Sequence, residues 1–301
     1  MKKIKYISLI VLGVSIAQFS KAQFTLSGEF RPRTEISHGY KSLAAENQDA
    51  STITAQRTRL NAGYSSEYIK TGLVLQDVRR WGNQAQLVTN DDYAVSIHQA
   101  WAEVLFSPEF SLKAGRQELV YDDSRIFGNV GWAHQARSHD VALFKYENDV
   151  KLHFGIAHHE NGDLTNSNYD GPDAYKDMQF VWFNNSWEKI SLSLLLLNNG
   201  VPTMENSEQD TKFSQTMGGH ITGNINEIKV VSNLYYQTGK HVSGRNISAF
   251  NFLAEATMNA FTLGFEHLSG TGYNESDYKS FTPFYGTNHK FNGFMDYFYA
   301  V

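Results

Sequence analysis

Arginines at alternate positions are the feature of this sequence with the clearest chemical meaning. Arg31 and Arg33 are two residues apart, and so are Arg57 and Arg59. Residues two apart on a β-strand project from the same face, so each pair presents two guanidinium groups side by side. A guanidinium stays charged and can hold both oxygens of a carboxylate. The spacing therefore predicts a surface that attracts anionic solutes.

The first pair lies on a strongly amphipathic segment, residues 23–36. Its even positions are mostly apolar, as in Phe24, Leu26 and Phe30, and its odd positions are polar or charged. A period of two is typical of a strand with one apolar face. The second pair lies on a similar strand, residues 52–65, which follows as its antiparallel neighbour. All four guanidiniums are therefore expected on one face.

Other charged residues are candidates for the same face. The full set predicted to line it is Arg31, Arg33, Arg57, Arg59, Lys70, Arg79, Arg116, Arg125, Arg137, Glu29 and Glu103. The alternation does not decide whether Arg79 or Arg80 points to this face, and it puts Arg116 on the face of Leu112. As an alternative, the arginines pair with neighbouring acids such as Glu29 and only build the wall.

An export signal precedes the first strand. Lys2, Lys3 and Lys5 form a basic start, residues 7–17 are apolar, and Ser20 to Ala22 has the small-x-small pattern of a cleavage site. The apolar run is too short for a spanning helix. Residues 1–22 are therefore predicted to be a Sec-type signal peptide that is removed near Ala22, and residues 23–301 to be one domain.

Charge and composition narrow the class of that domain. The signal holds four of the 26 basic residues and none of the 31 acidic ones, so the remaining chain has 22 positive against 31 negative side chains, a formal charge of −9. An acidic chain is not expected to bind nucleic acid. There is no cysteine, whereas 16 Tyr, 20 Phe and 23 Gly are typical of a β-protein.

The alternating pattern predicts about thirteen strands. They are expected at residues 23–36, 52–65, 69–76, 99–106, 110–119, 139–146, 150–157, 178–184, 190–197, 213–223, 228–236, 247–258 and 261–268. Short turns and polar loops connect them in strict alternation. Long loops are expected at 38–51, 80–95, 119–137, 158–176 and 198–212, and a shorter one at 238–245. In an antiparallel meander this puts all short turns at one end, as in outer-membrane barrels. A secreted sandwich or propeller, the soluble alternative, would show Greek-key jumps or a fixed repeat.

The predicted fold is therefore all-β, an antiparallel up-and-down transmembrane β-barrel. Its outward face must be apolar because lipid cannot hydrogen-bond to side chains. Aromatic residues near strand ends would form the interface girdles, and Tyr64, Phe106, Trp182, Trp187, Tyr236 and Phe261 are the candidates. The predicted location is the outer membrane of a Gram-negative cell, with membrane lipid as a partner.

Several runs resemble the alginate export family of outer-membrane porins. They are AGRQELVYDDSRIFGNVGW (114–132) with Arg137 and DVALF (140–144), QDVRRWG (76–82), RTRL (57–60), HLSG (267–270) and FYGTNHKFNGFMDYF (284–298). The resemblance implies a barrel of about 18 strands with an electropositive pore for passive passage of an acidic polysaccharide. It also implies that Arg57, Arg59, Arg79, Arg116, Arg125 and Arg137 match the family's basic positions. Thirteen strands are odd and fewer than this, so the chain is expected to lack its last strands and to leave two unpaired edges.

Three functional interpretations remain open from the sequence. The first is an arginine-lined channel for an anionic polysaccharide or its oligomers, served by periplasmic secretion or uptake machinery. The second is a general diffusion porin, and the third a barrel that anchors a binding surface in its loops. No cofactor is expected, and the histidines at 153, 158 and 159 are predicted to be solvated and not to bind a metal. No nucleophile elbow or phosphate-binding loop indicates an enzyme.

Overall fold

The computed structural model describes residues 23–39, 42–87, 95–159, 175–205 and 208–293, with side chains everywhere in these ranges except at 204, 205, 208 and 209. The predicted signal peptide lies outside the described residues. So do most of the long loop expected at 158–176 and half of the one expected at 80–95. No helix in the described part of the chain is long and apolar enough to cross a membrane.

Thirteen strands form one sheet, which confirms the predicted fold class and strand number. Their bounds are β1 Gln23–Ser37, β2 Ser51–Ser65, β3 Ile69–Arg80, β4 Ser96–Leu105, β5 Phe110–Gln117, β6 His139–Glu147, β7 Val150–His158, β8 Asp177–Trp187, β9 Ile190–Glu205, β10 Glu208–Ile225, β11 Ile228–Lys240, β12 Asn246–Met258 and β13 Phe261–Leu268. Only a single 3₁₀ turn, Asn288–Lys290, is helical among the described residues.

The strands pair in sequence order and every pairing is antiparallel. This is an up-and-down meander in which short turns and long connections alternate. Asn226 and Asn259 adopt left-handed backbone in two of the short turns, at φ 55° and 54°, a conformation that asparagine tolerates better than most residues. The outermost strands, β1 and β13, do not pair with each other. The sheet is therefore open, as the odd strand count predicted.

One expected loop is instead part of a hairpin. The polar stretch 198–212 was predicted to be a loop, but β9 and β10 stay in register from Gly223 opposite Ile190 to Glu208 opposite Glu205. Residues 198–205 and 208–212 each have a ladder partner, so their backbone groups are paired without an apolar face. The lack of apolar alternation was therefore a poor guide to where these strands end.

The sheet has an exposed apolar face and a face that packs on other parts of the chain. We call these the outer and the inner face. On the outer face Phe24, Leu26 and Phe30 are more than 60% exposed, as expected of side chains that meet lipid. The same face carries the girdle candidates Tyr64, Phe106, Trp187, Tyr236 and Phe261. Trp182 is a correction, because it is only 8% exposed and lies on the inner face.

Two segments between and beyond the strands fold against the inner face. Residues 118–138 follow β5 and residues 269–293 follow β13. They bridge to each other where Phe127 pairs with Tyr285 and Gly128 N–H donates to the Tyr285 carbonyl at 2.8 Å. A Cβ on Gly286 would lie 2.2 Å from the Arg125 carbonyl oxygen, so this close approach requires glycine.

The hydrophobic core lies between these segments and strands β6 to β12. Its large members are Leu119, Ile126, Phe127, Tyr175, Met178, Phe180, Trp182, Leu195, Leu197, Tyr235, Phe281 and Tyr285. Phe180 covers the backbone of Gly155, where a Cβ would meet its ring at 2.1 Å. The inside of the sheet is thus packed with aromatic side chains along β6 to β12, and its polar wall is on β1 to β5.

Candidate functional site

Five arginines gather on the inner face of the first three strands. Arg31 lies opposite Arg57, Arg33 lies opposite Ala55, and Ala55 in turn lies opposite Arg80. Arg59 follows two residues after Arg57 and so shares its face. We call Arg31, Arg33, Arg57, Arg59 and Arg80 the arginine wall. The first four of these arginines lie together, as the alternation indicated.

The acids near the wall neutralise it only in part. Arg57 donates to Glu29 through Nε at 2.9 Å and Nη2 at 2.5 Å. Arg33 pairs with Glu35 at 2.6 Å, and Arg59 lies 3.9 Å from Glu118.

Five guanidiniums thus face three carboxylates within the described residues. Nη2 of Arg59 is buried without a hydrogen-bond partner in this part of the chain, so the wall keeps both net positive charge and spare donors.

Neutral carbonyl groups take up most of the remaining donors. Arg31 donates to the Gly131 and Ala133 carbonyl oxygens at 2.8 Å each, and Arg33 donates to that of Trp132 at 3.1 Å. Arg57 reaches the carbonyls of residues 133 and 134 at 3.3 Å. Gln76, on β3, donates to the carbonyl of residue 135 at 3.1 Å. Four successive carbonyls of segment 118–138 therefore dock on the wall, and the fifth is held by Gln76 beside it.

The carboxylate of Glu118 holds the start of segment 118–138 in place. His98 Nε2 lies 2.7 Å from Glu118 Oε1, and Asn129 Nδ2 donates to Oε2 at 2.7 Å. Burial acts to raise the pKa of Glu118, but the hydrogen bonds from His98 and Asn129 outweigh it and lower that pKa. Glu118 is therefore a carboxylate that holds the segment and also faces Arg59.

An open recess lies between the wall and the docked segment. It has a volume of about 420 Å³ and is lined by Arg33, Arg80, Trp132, His134 and Gln135, among others. The Arg33 side chain is 41% exposed there, whereas that of Arg57 is 7% exposed. Burial, together with Arg33 and Arg31, lowers the pKa of His134 below its usual value. Glu35 lines the recess as well, so arginines supply its positive charge and one carboxylate offsets part of it.

Two predicted pore residues hold the interior together instead of facing open space. Arg125 is 1% exposed, pairs with Glu266 on β13 at 2.7 Å and lies over the Phe291 ring at 4.5 Å. Arg137 donates to the Gly286 carbonyl at 3.2 Å. Their position inside a loop, where strand alternation gives no orientation, is why the sequence could not place them.

Two further predicted residues lie on the opposite face. Arg79 is opposite Gln56 and is held by Asp77 through two hydrogen bonds of 2.6 and 2.7 Å. Arg116 pairs with Asp140 at 2.9 Å, and both side chains are about half exposed. Both arginines lie on the outer face. Of Arg79 and Arg80, it is therefore Arg80 that points to the inner face, and Arg116 lies on the same face as Leu112.

Lys70 and Glu103 lie opposite each other on β3 and β4, toward the short-turn end of the inner face. Glu103 accepts a hydrogen bond from Ser111 at 2.7 Å and forms an ion pair with Lys145 at 3.1 Å. Lys70 is exposed. The two residues therefore belong to a mixed-charge surface that is separate from the arginine wall.

Several residues that shape the site were missed from the sequence. Gln76, His98, Glu118 and His134 touch the docked segment or belong to it. Gln76 is opposite Arg59, and that register was available from the predicted hairpin. The others depend on a fold-back that no periodicity shows. His153, set aside as solvated, is 7% exposed and lies 3.0 Å from the Tyr121 hydroxyl.

No metal-binding cluster is present in the part of the chain that the structure describes, by the criterion of three grouped His, Cys, Asp or Glu residues.

Known proteins share the fold of this chain. No family model and no curated protein matches it. The anion-selective porin from Comamonas acidovorans superposes with a TM-score of 0.51 at 12% identity, over 82% of this chain and 78% of that one. Salmonella typhi OmpF in complex with daunomycin gives 0.51 at 10%, over 87% and 83%.

Pseudomonas aeruginosa OccK2 (OpdF) gives a TM-score of 0.52 at 14% identity, over 83% of this chain and 66% of that one. At these identities the comparisons establish the barrel fold of outer-membrane porins and nothing finer. The resemblance to the alginate export family stays a prediction.

Proposed function

We propose that this protein is an outer-membrane channel through which anionic saccharides diffuse along the arginine wall. The observation that carries the proposal is the imbalance of five guanidiniums against three carboxylates, with a buried, unsatisfied Nη2 on Arg59. A carboxylate on each sugar, as in a polyuronate, would supply the missing charge and would accept paired hydrogen bonds from a guanidinium fork.

Location and passage follow from the two faces of the sheet. The exposed apolar outer face suits lipid, and the short turns at one end suit the periplasmic side of an outer-membrane barrel. Export as a precursor with cleavage near Ala22 would deliver the chain there. The anion-selective porin of Comamonas acidovorans has the same fold, which makes a channel the natural use of this architecture.

Segment 118–138 would set which solutes pass. It lies across the inside of the sheet, from Arg31 on β1 to Glu266 on β13. A solute would have to pass the recess of about 420 Å³ between the segment and the wall. Short, extended, acidic oligosaccharides suit such a passage better than bulky neutral ones. Delivery to it would fall to periplasmic secretion or uptake machinery, in whichever direction the solute gradient runs.

A bilayer recording with a matched pair of double variants tests this proposal. The protein is reconstituted in a planar bilayer under a KCl gradient, and its reversal potential and its block by short polyuronates are measured. Arg33→Gln with Arg80→Gln removes two charges from the recess. Arg116→Gln with Lys240→Gln removes two charges from outer-face positions away from the recess and serves as the control.

We expect anion selectivity and polyuronate block in the native protein and in the control. The recess variant should lose roughly tenfold in block, because two partly exposed charge contacts contribute about 0.7 kcal/mol each and 1.4 kcal/mol is tenfold. Conductance with no selectivity and no block would refute the proposal in favour of a general diffusion porin. A stable barrel that conducts nothing would favour a surface-binding protein.

A further inference from the structure

The outer face carries a wide groove near its short-turn end. Its volume is about 990 Å³. The floor consists of small residues on three neighbouring strands, with Gly223 on β10, Ser232 on β11 and Ala254 and Ala256 on β12. The register makes this floor continuous, since Ser232 lies opposite Ala254 and Val230 lies between Gly223 and Ala256.

Large apolar side chains form the two walls of the groove. Ile221 and Ile225 rise on β10, whereas Leu263 and Phe265 rise on β13. These residues are between 41% and 82% exposed. Neighbouring strands are about 4.8 Å apart, so the walls stand ~14 Å apart across three strand spacings. That width accommodates two hydrocarbon chains side by side.

A smaller polar recess continues the groove at the turn between β8 and β9. It has a volume of about 260 Å³ and is lined by Trp187, Glu188, Lys189, Ser191 and Asn224, among others. Lys189 and Asn224 also line the apolar groove. Trp187 is 52% exposed, which is the position of an aromatic residue at the membrane interface. An apolar groove that opens at interface depth into a polar recess has the shape of an amphiphile.

The charges of the recess specify the headgroup. Neither the Lys189 ammonium nor the Glu188 carboxylate has an ion pair within the described residues. One positive and one negative group side by side complement a zwitterion, with the lysine facing a phosphate and the glutamate facing an ammonium.

From these features we infer that the groove binds one glycerophospholipid with an ethanolamine headgroup from the periplasmic leaflet. The acyl chains lie on the floor of Gly223, Ser232, Ala254 and Ala256. The phosphate contacts Lys189 and the ammonium contacts Glu188. The inference rests on the proposed function only in requiring the outer face to be in a bilayer.

Native mass spectrometry of the detergent-solubilised protein tests this site. The probes are palmitoyl-oleoyl phosphatidylethanolamine and the corresponding phosphatidylglycerol, added in equal amounts. Ala256→Phe fills the floor, Lys189→Ala removes the phosphate contact, and Glu188→Gln removes the ammonium contact. The controls are Ala102→Phe, also on the exposed outer face, and Lys151→Ala, at another short turn.

We expect one tightly retained ethanolamine lipid on the native protein and on both controls. Ala256→Phe should abolish retention, and Lys189→Ala should weaken it about fivefold, the usual effect of one lysine near a lipid surface. Glu188→Gln should remove the preference for ethanolamine over glycerol.

Equal retention by all variants, or no preference in the native protein, would overturn the inference. So would a native dimer that Ala256→Phe converts to a monomer, because a second copy would then fill the groove. Flotation of each variant with vesicles and its conductance are recorded in parallel. A membrane-inserted, non-conducting protein that still retains the lipid would defeat the proposed channel and leave this site standing.

Discussion

Removing the negative partner of Arg125 should release segment 118–138 from β13. The Arg125 side chain is fully buried, and its only ion pair in the described structure is the 2.7 Å contact with Glu266. Glu266→Gln keeps the size of the side chain but removes the paired charge from a buried guanidinium, a change that costs roughly 3–5 kcal/mol when no other charge compensates it. The Asp123 carboxylate also acts on this guanidinium and offsets part of the loss. The ring of Phe291, 4.5 Å from the guanidinium, offsets part of this, so we expect about 3 kcal/mol.

Hydrogen exchange measures that cost where it acts. The amides of Gly128 and Thr287 bond across the two inner segments at 2.8 and 2.9 Å, so their exchange reports the opening of this contact. A loss of about 3 kcal/mol should speed their exchange more than a hundredfold.

The double replacement Arg125→Met with Glu266→Leu removes both charges and should return exchange to within about tenfold of the native rate.

Glu275→Gln is the matched control, because Glu275 forms an exposed ion pair with Lys279 at 3.1 Å. An exposed pair contributes at most about 1 kcal/mol, and its loss should leave the amides of the segment protected. If Glu266→Gln changed the exchange of these amides as little as this control does, the burial of Arg125 would not depend on its ion pair with Glu266. The segment would then be held by the arginine wall and the aromatic core alone.

Three further outcomes follow from the same interior. Gly155→Val should destabilise the barrel by about 3 kcal/mol or more, since the added atoms overlap the ring of Phe180, and thermal unfolding in detergent measures this. Tyr285→Phe removes the hydroxyl that bonds to buried Asn199 and should cost about 1–3 kcal/mol in the same assay. Because the pKa of His134 is lowered in the docked segment, by burial and by the arginine wall, docking is strongest above pH 6.5 and weakens as the pH falls. Exchange of segment 118–138, corrected for intrinsic rates, should therefore quicken toward about pH 5, and His134→Gln should remove that dependence.

Alternation along the sequence was enough to find the sheet. Thirteen strands, their order and the face of Arg31, Arg33, Arg57 and Arg59 all follow from a period of two. These are local properties, because a strand with one lipid-facing side must alternate whatever the rest of the chain does. The same reasoning failed at the β9–β10 hairpin, where backbone pairing continues through a polar stretch that has no apolar face.

The alternation of apolar and polar residues could not predict the two inner segments, residues 118–138 and 269–293. Nothing periodic in residues 118–138 indicates that they turn inward, and the partners of Arg125 and Arg31 are separated from them by 100 residues or more. Arg116 shows the converse, since its alternation already placed it with Leu112 and the family resemblance pulled it toward the pore. Where the two disagreed, the local pattern gave the correct face.

The large sequence separation of the interior contacts also determines the order in which they can form. Lys290 donates to the carbonyl of Asp123 across 167 residues of chain, and Gln237 exchanges hydrogen bonds with Thr282 across 45. Hairpins of neighbouring strands can form and insert early, because their contacts are local. Segment 118–138 can contact β1 to β3 early, but its bonds to β13 and to residues 269–293 must wait until that part of the chain is in place. The contacts between the two inner segments are therefore the last in the interior to form, and interrupted assembly should leave a more permeable intermediate in the membrane.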